Sequence, residues 1–255
     1  MNDVPQVGYR FGDKYWITDF VTPNNPDIEL VVKGFGAGNN DGLVSQVASY
    51  IRDGFQYPLF GNLPSADGKI LRYNRRRLFS VKYRWKVYRY YVWAFPAEVI
   101  QSKLGYCAET ANLCVSLLRT RELDSWNALG EVRASKDNTL LGYHSWVICR
   151  YQGEPYILES TIHKKGVNNL VKVSSAYDKY SAWAMTRDLY YVERARYNDK
   201  EFRGDSSIVA SMAFPAKRIL LFGLKKTEEF SSKKLYKEWK LEERLKTRLL
   251  EKAYK

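Results

Sequence analysis

The sequence predicts an α+β fold in which a cysteine-bearing helix packs on an antiparallel β-sheet. Three observations predict it. In GYCAETANLCVSLLR, Cys107, Ala111, Cys114 and Leu118 recur at helical spacing and share one face. WNALGEVRA, YHSWVICRY and EPYILEST then follow one another, alternating or apolar over strand lengths. Gln-Gly separates the last two, a hairpin signal that makes them antiparallel neighbours.

The chain has 255 residues, enough for one large domain with extensions and a substantial core. Aromatic residues make up 15%, which excludes a disordered composition. Lysine and arginine total 41 against 28 acidic residues, a net charge of +13. Such a surface attracts nucleic acid, anionic membranes or acidic proteins, and it also simply keeps a protein in solution. Three cysteines, Cys107, Cys114 and Cys149, do not form a disulfide framework, so the expected compartment is reducing and cytoplasmic. A place in a virion is compatible with the same reading. The N-terminus shows no signal-peptide pattern, and no apolar run approaches the ~20 residues of a membrane helix.

Along the chain, the first 27 residues are polar and end in the turn-rich TPNNPD. IELVV reads as a short buried strand before the glycine-rich GFGAGNNDG. That loop does not read as a phosphate loop: Gly34 and Gly36 fit G-x-G-x-x-G, but position 39 is Asn39, and no GK[ST] follows. DGLVSQVASYIRDGF (41–55) is an amphipathic helix with Leu43, Val47, Ile51 and Phe55 every four residues and Asp41 as its cap. Residues 56–71 are turn-rich. In 72–93, Lys82, Arg84 and Lys86 alternate with Tyr83, Trp85 and Val87, a strand with one cationic and one aromatic face. Pro96 opens a short helix, PAEVIQSK, ended by Gly105. The cysteine helix covers about 107–121. After the three strands, further strands are expected near 188–195 and 218–223. From about 227 a charged helix carries Leu235, Trp239, Leu245 and Leu249 on one stripe.

Two of the cysteines read differently. Cys114 lies on the inward face and is a core thiol. Cys107 sits at the first turn, where free N–H groups and the helix dipole stabilise a thiolate. Gly105 lets the backbone turn tightly before it. The two are seven residues apart, about 10 Å along a helix, too far to bridge. A nucleophilic thiol needs a base and an orienting group. His144 opens its strand, with Trp146 and Ile148 on its own face. Glu159 ends the next strand, and hairpin pairing would bring it to the imidazole. Cys107, His144 and Glu159 then form a triad by role. The other histidine, His163, lies in a loop beside Lys164 and Lys165 and is a second candidate base. The cysteines lack zinc-site spacing, and no metal or other cofactor is expected.

Read together, WAFPAEVIQSKLGYCAETANLCVSLLR, WNALGEV, GYHSWVICRYQGEPYILEST and VSQVASYIRDGFQYP resemble the transglutaminase-like superfamily, a branch of the papain-like fold. The resemblance covers roughly residues 40–162, in family order. It places a transglutaminase-like domain at 40–225, which leaves an extension at 1–39 and the C-terminal basic amphipathic helix at 226–255. It implies Cys107 as nucleophile, His144 as general base and Glu159 as orienting acid. It also implies hydrolysis or acyl transfer at amide bonds of a protein or peptide, through a thioester. The family acid is usually aspartate, and here Glu159 is one methylene longer. Tyr106 and Ala108 replace acidic residues that often flank the family cysteine. For the oxyanion, the candidates are the Cys107 backbone N–H and the side chains of Gln101, Trp93 and Gln56.

A second reading keeps the fold without the chemistry, as a binding or assembly protein, for example of a virus or phage. Its C-terminal helix would then contact a partner chain or a second copy. A third, compatible with either, is single-stranded nucleic acid held by Arg75, Arg76, Arg77, Lys82, Arg84 and Trp85.

Overall fold

The computed structural model describes residues 4–8, 14–36, 38–56, 62–64, 70–72, 93–161, 167–173, 189–209 and 212. The N-terminal part holds a two-stranded ribbon, β1 (Gln6–Gly8) with β2 (Lys14–Trp16), and a 3-10 turn at Ile17–Phe20. Helices α1 (Pro26–Gly34) and α2 (Asn40–Gly54) follow. A second small ribbon pairs β3 (Asn62–Pro64) with β4 (Ile70–Arg72), inside the stretch read as turns. Then come α3 (Pro96–Ser102) and α4 (Cys107–Arg119).

The rest of the described chain is sheet: β5 (Ser125–Ala134), β6 (Leu140–Tyr151), β7 (Glu154–Leu158), β8 (Leu170–Lys172), β9 (Leu189–Tyr197) and β10 (Phe202–Gly204). They form one antiparallel sheet in the spatial order β10-β9-β5-β6-β7-β8. The architecture is therefore α+β. Helix α4 packs against β5 and β6 and is covered by α1, α2 and α3. Its Leu113, Cys114, Leu117 and Leu118 are fully buried, with Val147 and Cys149 among the sheet residues of the same core. The ion pair of Arg119 with Asp199 ties the end of α4 to the β9–β10 turn.

IELVV is not a strand but the middle of α1. Asn25 caps that helix by accepting from the Asp27 N–H at 2.9 Å, and Pro26 takes the first position. Ile28 and Val32, four apart, are buried, while Leu30 between them is 69% exposed. An apolar run this short has no period of its own, so the capping residues decided the element. The glycine loop consequently follows a helix.

Two boundaries also differ from expectation. Asn39, not Asp41, caps α2, accepting from the Gly42 N–H at 2.8 Å. Asp41 instead accepts from the Gln152 N–H at 2.7 Å and so fastens α2 to the β6–β7 turn. Helix α3 ends at Lys103, which adopts the left-handed conformation at φ 56°, two residues before Gly105. The β6–β7 turn is as expected: Gln152 and Gly153 both have positive φ, 52° and 77°, and Tyr151 pairs with Glu154.

The expected strand at 72–93 falls mostly outside the described residues, with all six candidate nucleic-acid contacts, Arg75, Arg76, Arg77, Lys82, Arg84 and Trp85. The strand near 218–223, the C-terminal helix at 226–255 and His163 lie outside them too. No helix among the described residues is long and apolar enough to cross a membrane.

Candidate active site

Helix α4 starts at Cys107, so the thiol sits where backbone N–H groups lack helical partners. The lead-in is anchored by Glu109, which is 3% exposed. One of its carboxylate oxygens accepts from the Tyr106 N–H at 2.7 Å, and the other from the Ala94 N–H at 3.0 Å. That single carboxylate joins the Trp93–Phe95 segment to the first turn of α4. Gly105 eases this approach: a Cβ there would lie 2.8 Å from Thr110 Cγ2 and 3.2 Å from Val99 Cγ1, and those methyls would have to give way.

His144 lies in β6, opposite Gly130 of β5. Glu159 follows the last residue of β7 and is 1% exposed. The His144 Nε2–H donates to Glu159 Oε2 at 2.9 Å, and the Cys107 thiol is near enough to the same ring to help raise it. With Nε2 committed to the carboxylate, Nδ1 is the nitrogen left for sulfur. Thiol, imidazole and carboxylate are therefore brought together from a helix, a strand and a strand end, with the imidazole hydrogen-bonded to the carboxylate.

Around this chain the acid is held by four donors. Besides His144, Tyr191 donates its hydroxyl to Oε2 at 3.0 Å. Thr161 donates its N–H at 3.0 Å and its hydroxyl at 2.6 Å to Oε1. The Glu159 N–H donates to the Asn169 carbonyl at 2.8 Å, and Asn169 Nδ2 donates to the Ala48 carbonyl of α2. Thr110, three residues after Cys107, shares a 3.0 Å hydrogen bond with Ser160. The helix bearing the thiol and the strand end bearing the acid are thus tied directly. Beneath them, Asn127 Nδ2 donates to Asn112 Oδ1 and Tyr197 Oη, both at 2.8 Å, while Ser145 donates to Asn127 Oδ1.

The charges follow from this packing. Burial disfavours the imidazolium, but the Glu159 carboxylate and the hydrogen bonds to Cys107 and Glu159 outweigh it and raise His144 to about 10. Burial also works against the Glu159 carboxylate, yet His144 and the Thr161 donors hold it below its usual range. Burial pushes Cys149 up to about 12 and Cys114 well above 9. Those two thiols are inert at neutral pH.

Glu109 behaves oppositely to Glu159. Burial raises it to about 7, against the two backbone N–H groups that stabilise its charge. Its folded value exceeds the unfolded value of 4.5, so its contribution to stability is full below pH 4.5 and is lost as pH rises through 7. The unfolding free energy is expected to fall by about 3 kcal/mol across that window. Urea titrations at pH 5 and pH 6.5 check this. Glu109→Gln should flatten the dependence, and an unchanged slope in that variant would refute the assignment.

The oxyanion candidates separate. Trp93 is 8% exposed and stacks on Tyr197 with ring centroids 6.2 Å apart, at the edge of the polar network under Cys107. Gln101 is exposed on α3. The Gln56 side chain is exposed as well, although its backbone bridges Leu104 and accepts from the Gly105 N–H at 3.3 Å. Among the described residues neither glutamine side chain hydrogen-bonds Cys107, His144 or Glu159. No group of three or more His, Cys, Asp or Glu that could hold a metal occurs among the described residues.

Sequence reasoning did not single out Tyr191, Glu109, Gly130 or the Asn112–Asn127–Tyr197 network. Thr161 closes EPYILEST two residues after Glu159, with nothing in the sequence to give it a role there.

No family model matches the chain, and no curated protein matches it. Among solved structures, LapG of Legionella pneumophila is similar at 17% identity and a TM-score of 0.40, covering 80% of this chain and 95% of that one.

Proposed function

We propose that the chain is a transglutaminase-like cysteine hydrolase or acyltransferase acting on amide bonds of a protein or peptide. The observation that carries the reading is the convergence of Cys107, His144 and Glu159, with His144 hydrogen-bonded to the buried carboxylate at 2.9 Å and Cys107 beside the same ring. Mixed helix and antiparallel sheet architecture accommodates it.

The chemistry follows from the charges. A protonated His144 beside Cys107 favours the thiolate–imidazolium pair. The thiolate adds to the amide carbonyl carbon, and the C=O electron pair moves onto oxygen. The Cys107 backbone N–H, free at the helix start, is the donor that can meet that oxyanion. His144 gives its proton to the leaving amine, the C–N bond breaks, and a thioester to Cys107 remains. Water, deprotonated by His144, then releases the acid and restores the pair. A substrate amine in place of water gives a new amide. Glu159 stays ionised throughout, fixing the ring and balancing its charge.

The test is product analysis by mass spectrometry. Proteome-derived peptides are incubated with the full-length protein, with and without a primary amine, and compared with Cys107→Ser. New termini, deamidated side chains or amine adducts are expected with the wild-type protein only. Identical product sets from the two proteins would overturn the proposal.

A further inference from the structure

We propose that Tyr191 is a positioning residue for this site, holding Glu159 and His144 in register where a longer acid would otherwise swing. This rests on the Cys107–His144–Glu159 reading. Glutamate has one more rotatable bond than aspartate, so its carboxylate reaches an imidazole in many orientations. A glutamate can orient a histidine only if further donors fix it.

The four donors divide evenly between the oxygens. Thr161 occupies Oε1 through two groups of one residue. Oε2 receives His144 and Tyr191. An ionised carboxylate accepts about four hydrogen bonds, so this one is saturated. Thr161 is a local neighbour and fixes the carboxylate relative to its own chain. Tyr191 fixes it relative to the sheet, because it comes from β9, on the far side of β5 from His144.

Tyr191 also meets the base directly. Its ring lies edge-on to His144, with centroids 5.1 Å apart and planes at 63°. Trp146 packs against both rings, 6.2 Å from His144 and 4.7 Å from Tyr191. Tyr191 is 2% exposed and Trp146 fully buried, so neither ring has room to turn away. One residue therefore confines the imidazole with its ring and the carboxylate with its hydroxyl. The hydroxyl sits on the same oxygen the imidazole uses, so its loss frees the rotation that matters to Nε2. Among the described residues, the other titratable groups near this oxygen are Cys107 through His144, and Cys114 from α4, which is held neutral by its burial.

The experiment is alkylation of Cys107 by iodoacetamide in the full-length protein, read site by site by mass spectrometry from pH 4 to 9. Tyr191→Phe keeps the ring and removes the hydroxyl. It should slow alkylation at pH 7 about tenfold, the loss expected for one hydrogen bond to a charged group. Its acid limb should also move to higher pH, since a carboxylate with one donor fewer protonates more readily. Near-UV circular dichroism verifies the fold. A cycle with Glu159→Gln supplies the second arm. If Tyr191 acts through Glu159, removing the hydroxyl in the Glu159→Gln background changes the rate little further.

Wild-type rate and acid limb in Tyr191→Phe would overturn the positioning role. So would equal losses with and without Glu159. His144→Ala separates the two readings. If it leaves Cys107 alkylation unchanged, the triad itself fails. If it slows alkylation while Tyr191→Phe does not, only the role of Tyr191 fails.

Discussion

His144→Ala is expected to slow alkylation of Cys107 at pH 7 by about tenfold or more, to the rate of an ordinary cysteine. A free thiol near 8.5 is only about 3% thiolate at that pH. In the intact site an imidazolium stands beside the sulfur up to about pH 10. Removing His144 takes away the neighbouring cation and base together, which sets the expectation at about tenfold. Cys114 and Cys149 are internal controls, being 0% and 2% exposed and raised by that burial. Equal labelling of Cys107 in both proteins would sink the ion-pair reading. The same pair has a stability signature. His144 is raised from 6.5 to about 10, so its contribution is full below pH 6.5 and lost as pH climbs through 10. Glu159 is depressed from 4.5, so its contribution is present above that pH and lost as pH falls through its lowered value. Together with Glu109, which weakens the fold from pH 4.5 to 7, these groups put maximal stability in mildly acid solution.

Much of the site's frame was legible because its signals are local. The cysteine helix has a four-residue apolar period, and its inward residues are buried as that period requires. The Gln-Gly turn fixes the β6–β7 register, and that register carries Glu159 back toward His144. Where two local signals competed, the weaker one was easier to read. IELVV has the composition of a strand, but Asn25 and Pro26 had already set the backbone for a helix. Asp41 is as good a cap by type as Asn39, and only the position of the β6–β7 turn shows that its carboxylate is committed elsewhere.

The contacts that complete the site could not be read this way. Tyr191 reaches Glu159 across 32 positions of sequence, and the contact exists only because β9 pairs with β5 in one register. A tyrosine in LYYVERARY has no feature that distinguishes it from its neighbour Tyr190 until that register is known. Glu109 looks like a first-turn acid favoured by the helix dipole. Its second bond, to the Ala94 N–H, depends on where the chain before α3 returns. Residue types give the chemistry a site could do. Pairing of distant strands decides which of those residues meet.

Gly130→Ala tests that dependence most severely, and it is expected to cost about 3–5 kcal/mol or to prevent folding. Gly130 lies in β5 with His144 on one side and Glu193 on the other. The β5–β9 register shifts between Leu129 and Gly130, leaving Arg194 as the extra residue of a bulge. There the backbones come so close that a Cβ on Gly130 would collide with the Val192 carbonyl oxygen, and it would lie 2.6 Å from Trp146 Cη2. A carbonyl held in a ladder cannot step aside, and Trp146 is fully buried. Gly105→Ala is the milder comparison, because its nearest neighbours are the methyls of Thr110 and Val99. Those side chains can shift, so about 1–2 kcal/mol is expected. Urea midpoints of the two variants give the ranking. If Gly130→Ala folds, any relief of the clash moves β9 or Trp146, and both carry contacts to His144. Cys107 alkylation in its folded fraction should then be slower than in Gly105→Ala folded to the same extent. A wild-type midpoint for Gly130→Ala would mean that β5 and β9 do not meet in this register, and the link from Tyr191 to Glu159 would fall with it.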